Sequence, residues 1–231
     1  MNTKMKVLSL ALIGAFGYAG VASAACPSSA SPPWTAEGAL GGTLAIASPG
    51  YDGTECRLDS ALTGGLASFA TVQDDSPNGE ARYRAQFIVN ADSLASMGFT
   101  DAAYLFTANS GAGPQVSLSI VGDGAGGRLV SFTVPNASAA GGSDVGSVAM
   151  ASGENYIEFD LDSSGHFSLW VNNNNESAPD FTNSSFDNGG ATIETAFLGL
   201  AGPTPGYMSK YSGTAVGFDQ FDSRRQSFIG F

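Results

Sequence analysis

Basic residues are scarce in this chain. Nine Lys and Arg stand against 21 Asp and Glu over 231 residues, a formal net charge of −12. Lys4 and Lys6 fall at the extreme N-terminus, and beyond them Lys210 is the only lysine. Nucleic acids and anionic membrane surfaces are recognised by clustered Lys and Arg, so neither is expected as a partner. The acidity is first a statement about solubility; attraction for a cation such as Ca²⁺ is its functional alternative. Histidine is nearly absent. His166 stands alone, which leaves a zinc site without a second imidazole and a cysteine nucleophile with no base placed near it. Cysteine is limited to Cys26 and Cys56. Capped stripes of period 3.6 are missing, so nothing helical is expected beyond a single turn near Ala91 to Met97. No internal repeat is visible.

The one long apolar run is N-terminal. Lys4 and Lys6 precede an apolar and small-residue stretch from Val7 to Val21, and Ala22-Ser23-Ala24 forms an A-x-A cleavage site. This is the pattern of a secretory signal peptide over 1–24. The run is shorter than the roughly 20 apolar residues of a membrane span, so no span is expected. The short, alanine-rich leader points to a bacterial protein that is secreted or periplasmic. In an oxidising compartment Cys26 and Cys56 should pair, a closure that stabilises by about 3–4 kcal/mol in the chain-entropy model. Residues 25–33 form a short Pro/Ser leader, and 34–231 suit a single large β domain.

What is present is β-pattern. Tyr156 to Asp162 and His166 to Asn172 are two runs of apolar/polar alternation around Ser163-Ser164-Gly165, the signature of a hairpin. A three-residue loop puts Gly165 at the left-handed position. It pairs Asp162 with His166, Leu161 with Phe167, Phe159 with Leu169, Glu158 with Trp170 and Ile157 with Val171. A two-residue loop would set Leu161 opposite His166 and break the match. In the expected register every apolar residue but Trp170 shares one face. Further strands are expected over 43–47, 66–72, 81–89, 102–108, 115–121, 128–134, 145–150, 192–201 and 215–222, most of them bounded by Gly, Pro, Asn, Asp or Ser. Gly122 to Gly127 joins two of them as a turn rather than opening a phosphate-binding helix. About eleven short strands mean a sandwich or barrel. One-sided alternation, as in Val116, Leu118 and Ile120, is what antiparallel sheets show. The terminal Phe231 invites an outer-membrane barrel, but the last strand does not sustain an apolar outer face.

The hairpin and its neighbours resemble the concanavalin A-like jelly roll, especially its laminin-G-like branch. The likeness rests on Asn155 to Asp162, Ser-Ser-Gly, Phe167 to Asn172, and a final strand, Ala215 to Asp222, that could return beside the N-terminal region. It implies an all-β fold of two stacked antiparallel sheets over 34–231, with glycan or protein ligands.

Three groups of residues could carry function. Glu158, Asp160 and Asp162 alternate along one strand, similar to the retaining glycoside hydrolases of this fold. Such enzymes need two carboxylates about 5 Å apart with different pKa values; the third place here is an Asp beside a turn, and the alternative is a solvated hairpin face. Trp170, opposite Glu158 and near Asp160, could stack a sugar ring while the acids accept hydroxyl hydrogen bonds. The opposing possibility is a loop that covers the face and buries the indole, whose N–H would then need a partner. Asp74, Asp75, Asn78 and Glu80 supply oxygen donors at short spacing suited to Ca²⁺, though these residue types also simply build turns. The favoured reading is a secreted, non-catalytic binding or adhesion module for glycan or a cell-surface protein. The alternatives are a glycan-cleaving enzyme using Glu158 with Asp160 or Asp162, and an extracellular matrix subunit.

Overall fold

A computed structural model describes residues 26–27, 30, 34–138, 142–224 and 227–231. The signal-peptide segment 1–24 and most of the 25–33 leader lie outside the described residues. The elements run β1 (Ala36–Leu40), β2 (Gly42–Ala47), β3 (Arg57–Leu62), β4 (Phe69–Asp74), β5 (Arg82–Asn90), β6 (Ala102–Ser110), β7 (Gly113–Gly122) and β8 (Arg128–Pro135). They continue with β9 (Ser143–Ala149), β10 (Glu154–Asp162), β11 (His166–Val171), β12 (Phe181–Asn183), β13 (Thr195–Ala201), α1 (Pro205–Tyr211) and β14 (Ala215–Arg224). No described helix is long and apolar enough to cross a membrane.

Two seven-stranded sheets result, one ordered β1-β4-β13-β6-β7-β8-β9 and the other β12-β11-β10-β5-β14-β3-β2. Each keeps two edges, so neither closes into a barrel. All the expected strands are present. β14 does return beside the N-terminal part of the chain, pairing antiparallel with β3 and β5. Cys26 and Cys56 are bonded, with 5.7 Å between their Cα atoms.

The alternation places one side chain in two between the sheets. Tyr83, Phe87, Ile157, Phe159, Phe167 and Leu169 come from the second sheet; Phe106, Leu118, Ile120, Phe132 and Leu198 come from the first. Aromatic rings meet across the gap at 5.2 Å for Phe106–Phe159, 5.8 Å for Phe87–Phe106 and 5.0 Å for Phe132–Phe167. These tilted and offset separations are the preferred ones for aromatic pairs.

Four elements differ from the sequence expectation. β1 is an exposed edge strand and β12 spans three residues of what reads as a polar loop. In β3 the inward series Leu58, Ser60, Leu62 contains a hydroxyl, which masks the alternation. Ser60 is fully buried because its Oγ donates to Ala70 O at 2.7 Å and accepts from Leu200 N at 3.0 Å. Both partners belong to the opposite sheet. Helix α1 is too short to show a stripe. Its start was nevertheless legible: Thr204 caps it by accepting from Tyr207 N, and Pro205 follows at the first helical position. Ala91 to Met97 is a turn, not a helical turn.

Phe159 is fully buried opposite Leu169 and lies 6.0 Å from the Tyr83 ring. Phe159→Ala should lower unfolding stability by about 3–5 kcal/mol, measured by denaturant melts. A loss under about 1 kcal/mol would mean that this ring does not face the core.

Candidate functional site

The hairpin has the expected register, from Ile157 opposite Val171 to Asp162 opposite His166. Gly165 takes the positive φ, at 114°, that closes the loop. On the other side β10 pairs with β5, setting Asp160 opposite Arg84 and Glu158 opposite Gln86. The outward face of the three strands therefore gathers Glu158, Asp160, Ser168, Trp170, Arg84 and Gln86. Sequence alternation brings these residues together as anticipated, but it left open whether the face is solvated, and the answer is that it is covered.

Trp170 is 3% exposed. Its Nε1–H donates to Asn175 O at 3.1 Å, and Phe228 meets the indole edge-on at 5.5 Å. Arg84, itself buried, lies 5.0 Å from the Trp170 ring and 5.3 Å from Phe228, within cation–π range of both. Glu158 accepts from Ile229 N and Gly230 N, each at 3.0 Å. Arg84 Nε sits 3.2 Å from Glu158 Oε1, close enough for an ion pair though not aligned as a hydrogen bond. Asp160 is gripped by Arg82 through Nε at 3.0 Å and Nη2 at 2.7 Å. Glu176 reaches in to Arg84 Nη1 at 3.0 Å. Finally, Phe231 stacks on Tyr156 at 4.3 Å.

Of the two possibilities at Trp170, a stacking platform or a covered indole, the structure has the covered one: the loop around Asn175 and the segment 227–231 close over it. The physical reason is the buried guanidinium, whose partners must surround it once water is excluded. Burial raises the Glu158 pKa, against the lowering effect of the two backbone N–H groups and Arg84. In this arrangement neither Glu158 nor Asp160 is open to a substrate. Asp162 has a local task instead. Its Oδ1 accepts from Ser164 N at 2.8 Å and holds the hairpin turn, and that bond draws its pKa down.

The carboxylates considered for calcium also serve local turns. Asp74 accepts from Ser76 N at 2.8 Å and Ser76 Oγ at 3.0 Å, and Asp75 accepts from Gln73 Nε2 at 2.6 Å. Glu80 pairs its backbone with Ile193, while Asn78 points into solvent. Among the described residues no three His, Cys, Asp or Glu side chains converge as metal ligands.

A second site was not anticipated from the sequence. On the outward face of the other sheet Phe69 stands opposite Ala201, Thr71 opposite Gly199, and Phe197 opposite Thr107. With Tyr104, opposite Ala201 on β6, they border a cleft of about 260 Å³. Phe69 and Tyr104 are 37% and 42% exposed. Gly199 forms the floor. Its φ of +127° belongs to an irregularity of β13 against β6, and a Cβ there would meet Ala70 O at 2.3 Å. The legible signal was the unbroken run Phe197-Leu198-Gly199-Leu200-Ala201, which is apolar on both faces of its strand.

No family model matches the chain, and no curated protein matches it. Solved structures do share its architecture. The binding domain of botulinum neurotoxin serotype G aligns with a TM-score of 0.52 at 10% identity, over 84% of this chain and 44% of that one. Botulinum neurotoxin type C, whose cell entry depends on interaction with two ganglioside molecules, gives 0.51 at 10% identity over the same shares. A polysaccharide lyase of family 18 gives 0.49 at 10% identity, over 80% of this chain and 95% of its own. This chain spans less than half the length of the toxin domains it matches. At such identities the likeness is one of fold: an all-β jelly-roll sandwich of two antiparallel sheets.

A covered Trp170 has a measurable consequence. Trp170→Ala should destabilise by about 3–5 kcal/mol, the range for truncating a buried aromatic. In a Trp34→Phe background the remaining emission should resist aqueous quencher. Strong quenching together with a stability loss under about 1 kcal/mol would show that the face stands open.

Proposed function

We propose that this chain is an exported, non-catalytic binding module for glycan or a cell-surface partner. One observation carries the reading. The carboxylates that hydrolysis would need are saturated by Arg82, Arg84 and two backbone N–H groups, whereas the opposite sheet presents an open aromatic cleft. An acid catalyst needs a carboxyl within reach of the glycosidic oxygen. Here the cover over Glu158 would have to leave and its ion pair break before a sugar could approach. Binding needs no such change. The toxin structures of the same fold support the reading in kind: one is a binding domain, and another comes from a toxin whose cell entry depends on interaction with two ganglioside molecules. The disulfide and the signal-like leader favour function outside the reducing cytoplasm.

The test is a panel of polysaccharides assayed for retention of the protein and for release of reducing ends. Retention on at least one polymer with no reducing ends released is the expected result. Release of reducing ends that disappears in Glu158→Gln would establish the enzyme instead. Filaments seen by electron microscopy of the purified protein would favour a matrix subunit.

A further inference from the structure

We propose that the cleft between Phe69, Tyr104 and Phe197 holds an uncharged pyranose ring of a glycan, an assignment that rests on the binding-module reading above. Four features of the cleft lead there.

The first is charge. The chain carries a net charge of −12, yet no charged side chain lines this cleft. An anionic sugar would find no Arg or Lys to pair with and would meet the repulsion of the whole molecule. A cationic ligand would find no carboxylate. A neutral ligand meets neither cost.

The second is the surface chemistry. Two half-exposed rings, Phe69 and Tyr104, stand at one end and Phe197 at the other, over the bare Gly199 floor. Threonines 71 and 107 place hydroxyl-bearing side chains along the same lining. A pyranose ring presents apolar C–H faces and a polar equator. It therefore suits an apolar plate bordered by a few hydroxyls, the mixture that ligand pockets show.

The third is size. At about 260 Å³ the cleft is just smaller than the pockets that take drug-sized ligands. It suits one ring and leaves neighbouring rings of a longer glycan outside.

The fourth is rigidity. The floor is held from within the core. Leu200 N–H donates to Ser60 Oγ at 3.0 Å, and Ser60 Oγ donates to Ala70 O at 2.7 Å. The strands on either side of Gly199 are thereby fixed to the second sheet, so the cleft is formed before a ligand arrives and little ordering cost remains. A second copy of the chain is the competing occupant, but two molecules of −12 repel each other.

The experiment compares the wild type with Tyr104→Ala and Thr107→Glu, using gluco-, manno-, galacto- and xylo-oligosaccharides as neutral probes and uronate oligosaccharides as acidic ones. Phe99→Ala, which removes an 80% exposed ring at a site that does not line the cleft, is the control. The wild type should bind at least one neutral probe. Tyr104→Ala should weaken that binding about tenfold, the effect of one lost stacking contact, and Thr107→Glu should weaken it at least as much. Melting temperatures should be unchanged, and Phe99→Ala should bind like the wild type. Neutral-sugar binding that survives both cleft variants would overturn this site while leaving the binding module standing. Binding of uronates alone would overturn the charge argument. No glycan binding at all would remove the site and leave the module reading only its cell-surface protein partner, to be tested apart from sugars. A concentration-dependent dimer, abolished by Tyr104→Ala in sedimentation, would assign the cleft to a second copy.

Discussion

Phe106 is the ring on which the two sheets close. It projects from β6 of one sheet and meets Phe87, Phe159 and Phe221, at 5.8, 5.2 and 6.2 Å, from three neighbouring strands of the other. One residue thus brings β5, β10 and β14 into contact with the opposite layer. Burying such a ring removes much apolar area from water, and the contact is non-local, so it forms only when both sheets are assembled. Phe221 carries the packing onward to Trp34, 4.9 Å away, near the disulfide end of the sandwich.

Outside that core the two faces solve opposite problems. On the face of β5, β10 and β11 a guanidinium has been taken out of water. Desolvating an ion costs several kcal/mol, and its attraction to partners offsets that only with good geometry. Arg84 accordingly has Glu158, Asp160 and Glu176 around it and aromatic rings on two sides. Glu158 in turn draws two backbone N–H groups from residues about 70 positions away. The cover over Trp170 is therefore a consequence of the ion network as much as of the aromatic contacts. Two of the three carboxylates in the row that looks catalytic in sequence, Glu158 and Asp160, serve here as counter-charges of the buried arginine.

The other face derives its shape from a polar exception in the core. Ser60 takes an inward position that alternation reserves for an apolar side chain, and bonds to backbone atoms of β4 and β13. Those bonds pin the strands beside Gly199, where the close approach of Ala70 O excludes any side chain. The bare floor of the outer cleft and the buried hydroxyl are two sides of one local arrangement. A groove built this way owes its rigidity to the core rather than to its own rim.

Local rules were enough for much of this molecule. Period-two alternation and the Ser-Ser-Gly turn determined the β10–β11 register, because slipping by one residue would put every apolar side chain on the wrong face. Turn residues marked the strands, and two cysteines in a chain with a signal-like leader implied their own bond. Composition argued against a nucleic-acid partner before any fold was considered. What stayed hidden was everything that depends on distant segments meeting. Alternation puts Glu158, Asp160 and Trp170 on one face, but it says nothing of what lies above that face. Phe228 to Gly230 arrive there from the far side of the chain, drawn by unsatisfied charge and apolar surface that exist only after β5, β10 and β11 have paired. The cleft at Gly199 likewise combines three strands drawn from Phe69–Asp74, Ala102–Ser110 and Thr195–Ala201 and a serine on the opposite sheet. The sequence by itself determined which side chains share a strand face; tertiary structure alone decided which of those faces meets water, because burial is a property of the assembled layers and not of any one strand.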